Sequence, residues 1–166
     1  MLDLIKGRRS VRAFSDAEVS DKMVDQVLEA GRWAPSGMNN QPWRFAVIRD
    51  QDLKGQVSRL TRYSGVVSGA GVLIAVFLDR EAGYHHTKDV QAMGACMENM
   101  LLAIDGLGLG GVWLGEILRS EQEIKKLLGA PEPYELMAVI ALGHPAGPKP
   151  GPTARKPLSE LVFFRK

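Results

Sequence analysis

Cysteine and histidine are scarce in this chain of 166 residues, and their scarcity excludes several kinds of site. A single cysteine cannot form an internal disulfide, so the sequence suits a reducing cytoplasm. Cys96 itself lies in an apolar stretch typical of a helix, where a buried and inert thiol is expected. Of the three histidines, His85 and His86 are adjacent while His144 is distant, which is a poor set of metal ligands. We therefore predict no metal site.

Long apolar runs and an excess of one charge are also missing. No stretch reaches the ~18 uninterrupted apolar residues of a membrane span, and residues 1–10 hold charges without the apolar run of a signal peptide. The net charge of +2 comes from 21 basic and 19 acidic residues, which gives no general surface for a polyanion. We expect no membrane and no nucleic acid as partner, and a single domain over residues 1–166 with a real core.

Two polar segments stand out from this ordinary composition. Residues 8–14 (RRSVRAF) hold three arginines and a serine, and residues 34–42 form a proline-bounded turn rich in amides and hydroxyls. Arginine matches phosphate oxygens in pairs, and Ser10 adds a hydroxyl donor. In an extended segment Arg8, Ser10 and Arg12 point to one side and Arg9 to the other. The spacing alone supports a phosphate site and an exposed basic edge, or a nucleic-acid patch, equally well.

Hydrophobic periodicity predicts helices alternating with strands. Ser20 is a good N-cap for the helix over 21–31, with Gly31 at its C-terminal end, and Ser120 to Glu123 match a capping box. The nearly continuous apolar run 71–78 predicts a central buried strand. The predicted helices cover 2–7, 21–31, 50–63, 88–107 and 121–128, and the predicted strands cover 44–49, 71–78, 110–113, 135–142 and 158–164.

Two features predict a second subunit. The helix over 88–107 is apolar on almost every face, and a domain of this size has little room to surround a helix of ~30 Å. A homodimer would cover it; a central helix covered by its own chain is the alternative. Residues 145–157 hold five prolines and two glycines and lead into the apolar segment 158–164, as when a chain end crosses to another subunit. We predict that residues 146–166 form an arm and tail that pack on the partner.

Gly106, Gly108 and Gly111 match the spacing G-x-G-x-x-G, but their context is wrong for a dinucleotide site. That motif follows a strand and opens a helix, whereas here it follows a helix and opens a strand. We predict instead that these glycines end the long helix and bring backbone close to a ligand or neighbour.

Four segments, taken in order, resemble the FMN-dependent nitroreductase family in its short form. They are RRSVRAF (8–14), APSGMNNQPWRF (34–45), GLGLGGVWLGE (106–116) and ARKPLSELV (154–162). The resemblance implies an α+β fold with a mainly antiparallel sheet flanked by helices. It also implies an intertwined homodimer with exchanged C-terminal tails and FMN at the interface.

The resemblance further implies roles for individual residues, although no catalytic side chain. A basic set holds the FMN phosphate, Arg12 faces the pyrimidine end of the flavin, and a turn contacts the flavin from the other subunit. Thr153 occupies a position that is often lysine, and no flavin contact can be named within 57–69. The implied contacts are Arg8, Arg9, Ser10, Arg155 and Lys156 for the phosphate, Pro35, Ser36, Gly37 and Asn39 for the turn, and the backbone of Leu114 and Gly115 near the flavin ring.

The function that follows is transfer of hydride from NADH or NADPH through FMN to nitroaromatics, quinones or similar acceptors, by a ping-pong mechanism. A dedicated flavin-dependent dehydrogenase or dehalogenase and a non-enzymatic FMN-binding module are the alternatives. Only residues 80–87 precede the long helix where larger members have a helical insertion, so an open cleft is expected. Tyr84, His85 and His86 either rim that cleft or form an exposed connection.

Overall fold

A four-stranded antiparallel sheet forms the centre of the protein, as seen in a computed structural model that describes residues 1–151 and 153–166. The strands lie in the order β1-β2-β4-β3, and each neighbouring pair is antiparallel. Helices cover both faces, which confirms the predicted α+β class. The strands are β1 (Trp43–Ile48), β2 (Val72–Asp79), β3 (Gly110–Leu114) and β4 (Tyr134–Gly143), and the helices are α1 (Leu2–Gly7), α2 (Asp21–Arg32), α3 (Gln51–Ser58), α4 (Ser64–Gly69), α5 (His86–Gly106), α6 (Glu121–Leu128) and α7 (Leu158–Leu161).

Strand β2 is buried along its whole length, which explains why its sequence does not alternate between apolar and polar residues. Ile74 and Val76 belong to a cluster formed with α2 and α5. Leu73 and Phe77 face the opposite side, toward a cluster formed with α3, α4 and α6. The central strand predicted from the run 71–78 is therefore confirmed, between two helical layers.

Helix α2 approaches α5 closely at Gly31. A Cβ atom on Gly31 would lie 2.8 Å from Met100 Cγ and 3.1 Å from Cys96 Sγ. Gly31 lies at the C-terminal end of α2 as predicted, although the helix continues one residue further, to Arg32, and Trp33 is its C-cap. The N-cap is confirmed, because Ser20 Oγ accepts from the Met23 N–H at 3.4 Å.

Cys96 is buried as expected, and burial raises the pKa of its thiol to about 12.

The capping box predicted at Ser120 does not form, although α6 begins where it was expected. Ser120 Oγ donates instead to the Leu60 carbonyl oxygen at 2.9 Å. The predicted helix over 50–63 is also shorter: α3 is capped by Asp50, whose Oδ1 accepts from the Leu53 N–H at 2.8 Å, and a separate helix, α4, follows. The hydrogen bond from Ser120 to the α3–α4 corner thus takes the place of the local capping bond that the sequence pattern indicated.

The first part of the proline-rich arm lies against its own chain. Ala146 N donates to the Ala13 carbonyl oxygen at 3.0 Å, Lys149 Nζ lies 2.7 Å from Asp105 Oδ1, and Arg9 Nε donates to the Gly151 carbonyl oxygen at 3.2 Å. Pro152, which also belongs to the predicted arm, lies outside the described residues.

The end of the chain departs from the predicted strand over 158–164. It forms one helical turn, α7, after Pro157, and it is not part of the four-stranded sheet of the described residues. Phe163 is fully exposed and Phe164 largely so. Packing of this tail on a partner stays a prediction.

None of the helices within residues 1–151 and 153–166 combines the length and the apolar character that crossing a bilayer requires.

Candidate functional site

Residues 8–15 run in extended form along one end of the sheet. Val11 N donates to the Gly111 carbonyl oxygen at 3.1 Å, and Ser15 N donates to the His144 carbonyl oxygen at 2.8 Å. Gly110 makes this close approach feasible, since a Cβ there would lie 2.6 Å from Val11 Cγ1. The backbone of the segment is thus fixed by β3 and by the chain that follows β4.

The glycine-rich stretch that opens β3 has the context that the sequence predicted. Gly106 is the last residue of α5, Gly108 has a φ of +75° in the connecting turn, and Gly111 lies within β3. A left-handed conformation of this kind favours glycine. These residues end a helix and begin a strand, which is not the arrangement of a dinucleotide-binding motif.

Arginines from both ends of the chain meet in one depression, which we call the basic cavity. Its volume is about 490 Å³, and Glu98 is the one acidic residue in its lining. Arg9 helps to build its wall, because its Nη1 donates to the carbonyl oxygens of Lys6 and Arg8 at 2.5 and 2.7 Å. The lining residues are Ile5, Lys6, Arg8, Arg9, Glu98, Thr153 and Arg155.

Arg8 is the residue whose position points most directly to an anion. Its side chain is only 20% exposed, and its Nε lies 3.8 Å from Glu98 Oε1, which is too long for a hydrogen bond. The Nε atom is buried without a hydrogen-bond acceptor among the described residues. A buried N–H left in this state costs free energy, and an oxyanion in the cavity would supply the missing acceptor. The residues present therefore fit a phosphate group.

Arg155 reaches the basic cavity from the arm. Its Nη1 donates to Thr153 Oγ1 at 2.6 Å and to the Ala154 carbonyl oxygen at 3.2 Å. Thr153, which stands where lysine is frequent in the family, thus orients this arginine. Ser10 is half-buried beside Arg9 in the sequence, and Lys156 is exposed; neither lines the cavity.

The turn over residues 35–41, which we call the amide turn, is strained and firmly held. Met38, Asn39 and Gln41 all have positive φ, at 55°, 54° and 48°. Such conformations are costly outside glycine and persist where surrounding bonds enforce them. Gln41 N donates to Ser36 Oγ at 3.0 Å, and Asn40 Nδ2 donates to Asp89 Oδ1 at 2.8 Å.

Asp89, in the first turn of α5, connects the amide turn to the segment before the helix. Its Oδ2 accepts from the backbone N–H groups of Tyr84 and His85 at 3.0 and 2.9 Å. Burial by itself raises the pKa of Asp89, but the hydrogen bonds from His85, Asn40 and Tyr84 outweigh burial and hold that pKa below its ordinary value. The buried carboxylate is therefore ionised at neutral pH, and it fixes three segments at one point.

The 80–87 connection lies beside the amide turn. The Tyr84 ring packs on Gly37, where a Cβ would overlap it. His86 points elsewhere, with Nε2 3.1 Å from Glu135 Oε2, and His85 is exposed as the N-cap of α5. Of the three residues considered for a rim, Tyr84 is thus the one in contact with a predicted flavin-binding segment.

Leu114 and Gly115 end β3, with Leu114 buried and Gly115 exposed. The next residue, Glu116, binds the corner between α3 and α4 through Thr61 and Arg62. Sequence reasoning missed both Glu116 and Asp89. Glu116 bonds Thr61 and Arg62, and Asp89 bonds Asn40, all far away in the chain, so no local pattern could have revealed these contacts.

The predicted site residues fall into separate groups within one chain. Arg8, Arg9 and Arg155 converge on the basic cavity, and the segment that follows Arg9 borders β3, the strand that ends in Leu114 and Gly115. Over residues 1–151 and 153–166, no hydrogen bond or ion pair joins the amide turn to the cavity. This separation is the one expected if the amide turn serves the site of the other subunit.

Known proteins share both the sequence pattern and the fold. The profile of the nitroreductase family matches residues 5–63 and 56–144. A protein of Archaeoglobus fulgidus, provisionally named NADH dehydrogenase/NAD(P)H nitroreductase, is 37% identical over 151 residues, covering 89% of this chain and 87% of its own. An iodotyrosine deiodinase of Thermotoga neapolitana is 30% identical over 98% of this chain and 95% of its own.

Among solved structures, one from Desulfovibrio desulfuricans is similar over 99% of this chain and 96% of its own. It is provisionally named a nitroreductase and was determined in complex with FMN. The identity is 48% and the TM-score is 0.94. Because the family profile and these relatives each cover most of its length, the chain belongs to the nitroreductase family.

Proposed function

We propose that this protein is an FMN-dependent oxidoreductase that takes hydride from NADH or NADPH and delivers it to nitroaromatics, quinones or similar acceptors. The observation that carries the proposal is the buried Arg8 Nε, which has no acceptor in the described part of the chain and lies in a cavity shared with Arg155. The relatives support it by name, one as an NAD(P)H nitroreductase and one through its complex with FMN.

The residues have distinct roles in this proposal. Arg8, Arg9 and Arg155, which line the basic cavity, would hold the phosphate, with Ser10 and Lys156 at its border. Leu114 and Gly115 would contact the ring through their backbone. The amide turn of the partner subunit would close the site with Pro35, Ser36, Gly37 and Asn39. When bound, FMN supplies the hydride chemistry, and the protein supplies orientation and electrostatics.

In this proposal the reacting face is open, because the 80–87 connection is short and contains no helix before α5 begins at His86. Solvent can therefore deliver the proton that accompanies reduction of an acceptor, without an obligatory side-chain acid. One cleft must serve donor and acceptor in turn, which gives a ping-pong mechanism with varied acceptors and high KM.

A homodimer is part of the proposal, because the amide turn is separate from the basic cavity in one chain. It is also supported by the exposed Phe163 and by the outer side of α5, where Leu102 is only partly buried. A reducing cytoplasmic setting fits the single thiol, which cannot form a disulfide within the chain.

The direct test is an absorbance spectrum of the purified protein, reconstituted with FMN and then mixed anaerobically with NADH or NADPH. We expect one FMN per chain, bleaching of the flavin absorbance, and parallel lines in double-reciprocal plots with a quinone as acceptor. Failure to retain FMN would refute the proposal. Retention of FMN without oxidation of either nicotinamide would indicate a non-enzymatic FMN-binding module, and intersecting lines would mean that donor and acceptor bind together.

Reductive dehalogenation is a second candidate, favoured by the similarity to the iodotyrosine deiodinase. Release of iodide from iodotyrosine by the reduced protein, at a kcat/KM above that for quinones and nitroaromatics, would support it over the general reductase.

A further inference from the structure

Glu116 is a carboxylate that the proposed function leaves unused, although it directly follows Gly115. Its Oε2 accepts from Thr61 Oγ1 at 2.6 Å and from the Arg62 N–H at 3.2 Å. Its Oε1 accepts from Arg62 Nε at 3.0 Å and lies 2.9 Å from Arg119 Nε. The side chain is only 15% exposed, so these partners take the place of solvent. A carboxylate surrounded by donors in this way has a fixed position.

The bonds of Glu116 join two parts of the chain that the sequence separates widely. Glu116 opens the 3-10 turn Glu116–Ser120, and its partners Thr61 and Arg62 lie in the corner between α3 and α4. The other end of the same turn is attached to the same corner, since Ser120 Oγ donates to the Leu60 carbonyl oxygen at 2.9 Å. The 3-10 turn is therefore bonded to the α3–α4 corner at both ends. Leu114 and Gly115, which directly precede it, are restrained as a result.

The charge of Glu116 is part of this arrangement. The hydrogen bond from Thr61, together with those from Arg62 and the charge of Arg119, lowers the pKa of Glu116 below its ordinary value, against the opposing effect of burial. The carboxylate is thus ionised at neutral pH and holds two exposed guanidinium groups beside the 3-10 turn.

We propose that Glu116 is a positioning residue for the reaction: it fixes the Leu114–Gly115 backbone against the α3–α4 corner and thereby sets the rate of hydride arrival, without binding the cofactor. The inference rests on the proposed function, in which this backbone contacts the flavin ring. It also gives a role to residues 60–62, for which the sequence offered none. Small displacements of groups around a reacting centre slow the chemical step strongly, while binding elsewhere is preserved.

Glu116→Gln tests the proposal, because it keeps the shape of the side chain and removes the charge. Thr61→Val removes one donor to the same carboxylate. Glu121→Gln is a matched control: Glu121 is also partly buried and also accepts a backbone hydrogen bond, from the Leu136 N–H at 3.1 Å, but it anchors α6 to β4 rather than to the α3–α4 corner.

Three readouts are needed in the full-length protein: FMN affinity by fluorescence titration, the visible circular dichroism of bound FMN, and the limiting rate of flavin reduction by NADH in stopped flow. In Glu116→Gln we expect a changed dichroism and a limiting rate lowered roughly tenfold or more, with the FMN affinity and the half-saturating NADH concentration within about threefold of wild type. Thr61→Val should act in the same direction, and Glu121→Gln should match wild type.

The outcomes separate the inference from the function on which it rests. If wild type neither binds FMN nor is bleached by NADH, the proposed function fails. If wild type reacts but Glu116→Gln keeps its limiting rate and its dichroism, Glu116 is structural only and the inference fails. Loss of FMN affinity as the main effect would also overturn it, because Glu116 would then be a binding residue. An equal loss of rate in Glu121→Gln would point to general loosening of the fold and would overturn it as well.

Discussion

The Arg8 side chain is held in a position suited to binding an anion. Its guanidinium is mostly buried, its Nε has no acceptor within the described part of the chain, and Glu98 is too distant to be one. A buried N–H without an acceptor costs free energy in the folded chain, and an anion bound beside Arg8 would remove that cost. The same cavity brings in Arg155 from the far end of the sequence.

Arg8→Ala should therefore weaken FMN binding by about 1–3 kcal/mol, the value of a charge-assisted hydrogen bond to phosphate. Fluorescence titration of apoprotein with FMN measures the change. Arg59→Ala is the control, since Arg59 is an exposed arginine outside the cavity. The phosphate assignment is wrong if the Arg8→Ala/Arg155→Ala double variant binds FMN as tightly as wild type.

Arg12 should affect the reaction rather than binding. It is exposed, and its side-chain hydrogen bond within the described chain is long, from Nη1 to the Ser10 carbonyl oxygen at 3.5 Å. Hydride arrival brings negative charge into the site, which a nearby cation stabilises mainly in the transition state. Arg12→Ala should slow flavin reduction in stopped flow more than it weakens nicotinamide binding. An unchanged reduction rate would give Arg12 no part in the chemistry.

Lys54 should make stability depend on alkaline pH. The side chain is 2% exposed, and Nζ donates to the Ala70 carbonyl oxygen at 2.6 Å. Burial, and then repulsion from Arg49, lowers its pKa in the folded chain below 10.5, the value expected when unfolded. Between the two values the unfolded chain binds more protons, so the free energy of unfolding rises with pH.

The difference in unfolding free energy between wild type and Lys54→Met should accordingly shift in favour of wild type as pH rises toward 10.5. Urea unfolding of both proteins from neutral pH upward measures the difference, and the titration of other groups cancels in it. A difference that stays constant over this range would mean that Lys54 keeps its ordinary pKa when buried.

At the scale of secondary-structure elements, the contact between α2 and α5 depends on the absence of one side chain. Gly31 faces Met100 and Cys96, and a Cβ would come within 2.8 Å of Met100 Cγ. Glycine in a helix is a poor choice by propensity. Its presence in α2 is explained by the distance between two packed helices rather than by the end of a helix.

Gly31→Ala should destabilise the protein by about 1 kcal/mol, since overpacking costs about 1–3 kcal/mol and the gain in helix propensity offsets up to about 1 kcal/mol. Gly55→Ala is the matched control in α3, where a Cβ would meet nothing within 4 Å; it should be neutral or stabilising. Urea unfolding of the two variants decides between these effects. Equal stabilisation by both would show that α2 and α5 can accommodate a Cβ at Gly31 without overpacking.

At the scale of the whole molecule, apolar surface remains without a covering neighbour. Phe163 and Phe164 are exposed at the chain end, and the outer side of α5 is only partly buried. A protein that keeps such a tail in water risks aggregation unless another surface covers it. A second copy of the chain would cover the tail and supply the amide turn to the site.

Ending the chain after Pro157 should weaken the homodimer and leave the fold intact, because the buried core identified in the structure lies before that point. Sedimentation velocity at micromolar concentration measures the association, and circular dichroism measures the fold. The substitutions Phe163→Ser and Phe164→Ser together should act in the same direction. A full-length protein that is a stable, FMN-loaded monomer under these conditions would refute the proposed dimer.

The sequence by itself determined the elements whose causes are local. The apolar run of β2 and the Ser20 cap of α2 are written in neighbouring residues, and the structure contains both. The four ordered segments also indicated the nitroreductase family, whose profile matches residues 5–63 and 56–144. Hydrophobic period and capping act within a few positions, so they can be recognised without the fold.

The tertiary structure alone decided the features that join distant residues. Glu116 meets Thr61 across 55 positions, and Asn40 meets Asp89 across 49. Ser120 and Gly31 have local patterns that indicate caps. In the structure, however, Ser120 Oγ donates to the Leu60 carbonyl oxygen, and Gly31 packs against α5. A helical turn forms over Leu158–Leu161 where the sequence predicted a strand; a strand needs a neighbour to pair with, and the four-stranded sheet of the described residues does not include this segment. A hydrogen bond or a close packing contact depends on where two residues lie in space. A local sequence pattern describes the surroundings of only one of those residues.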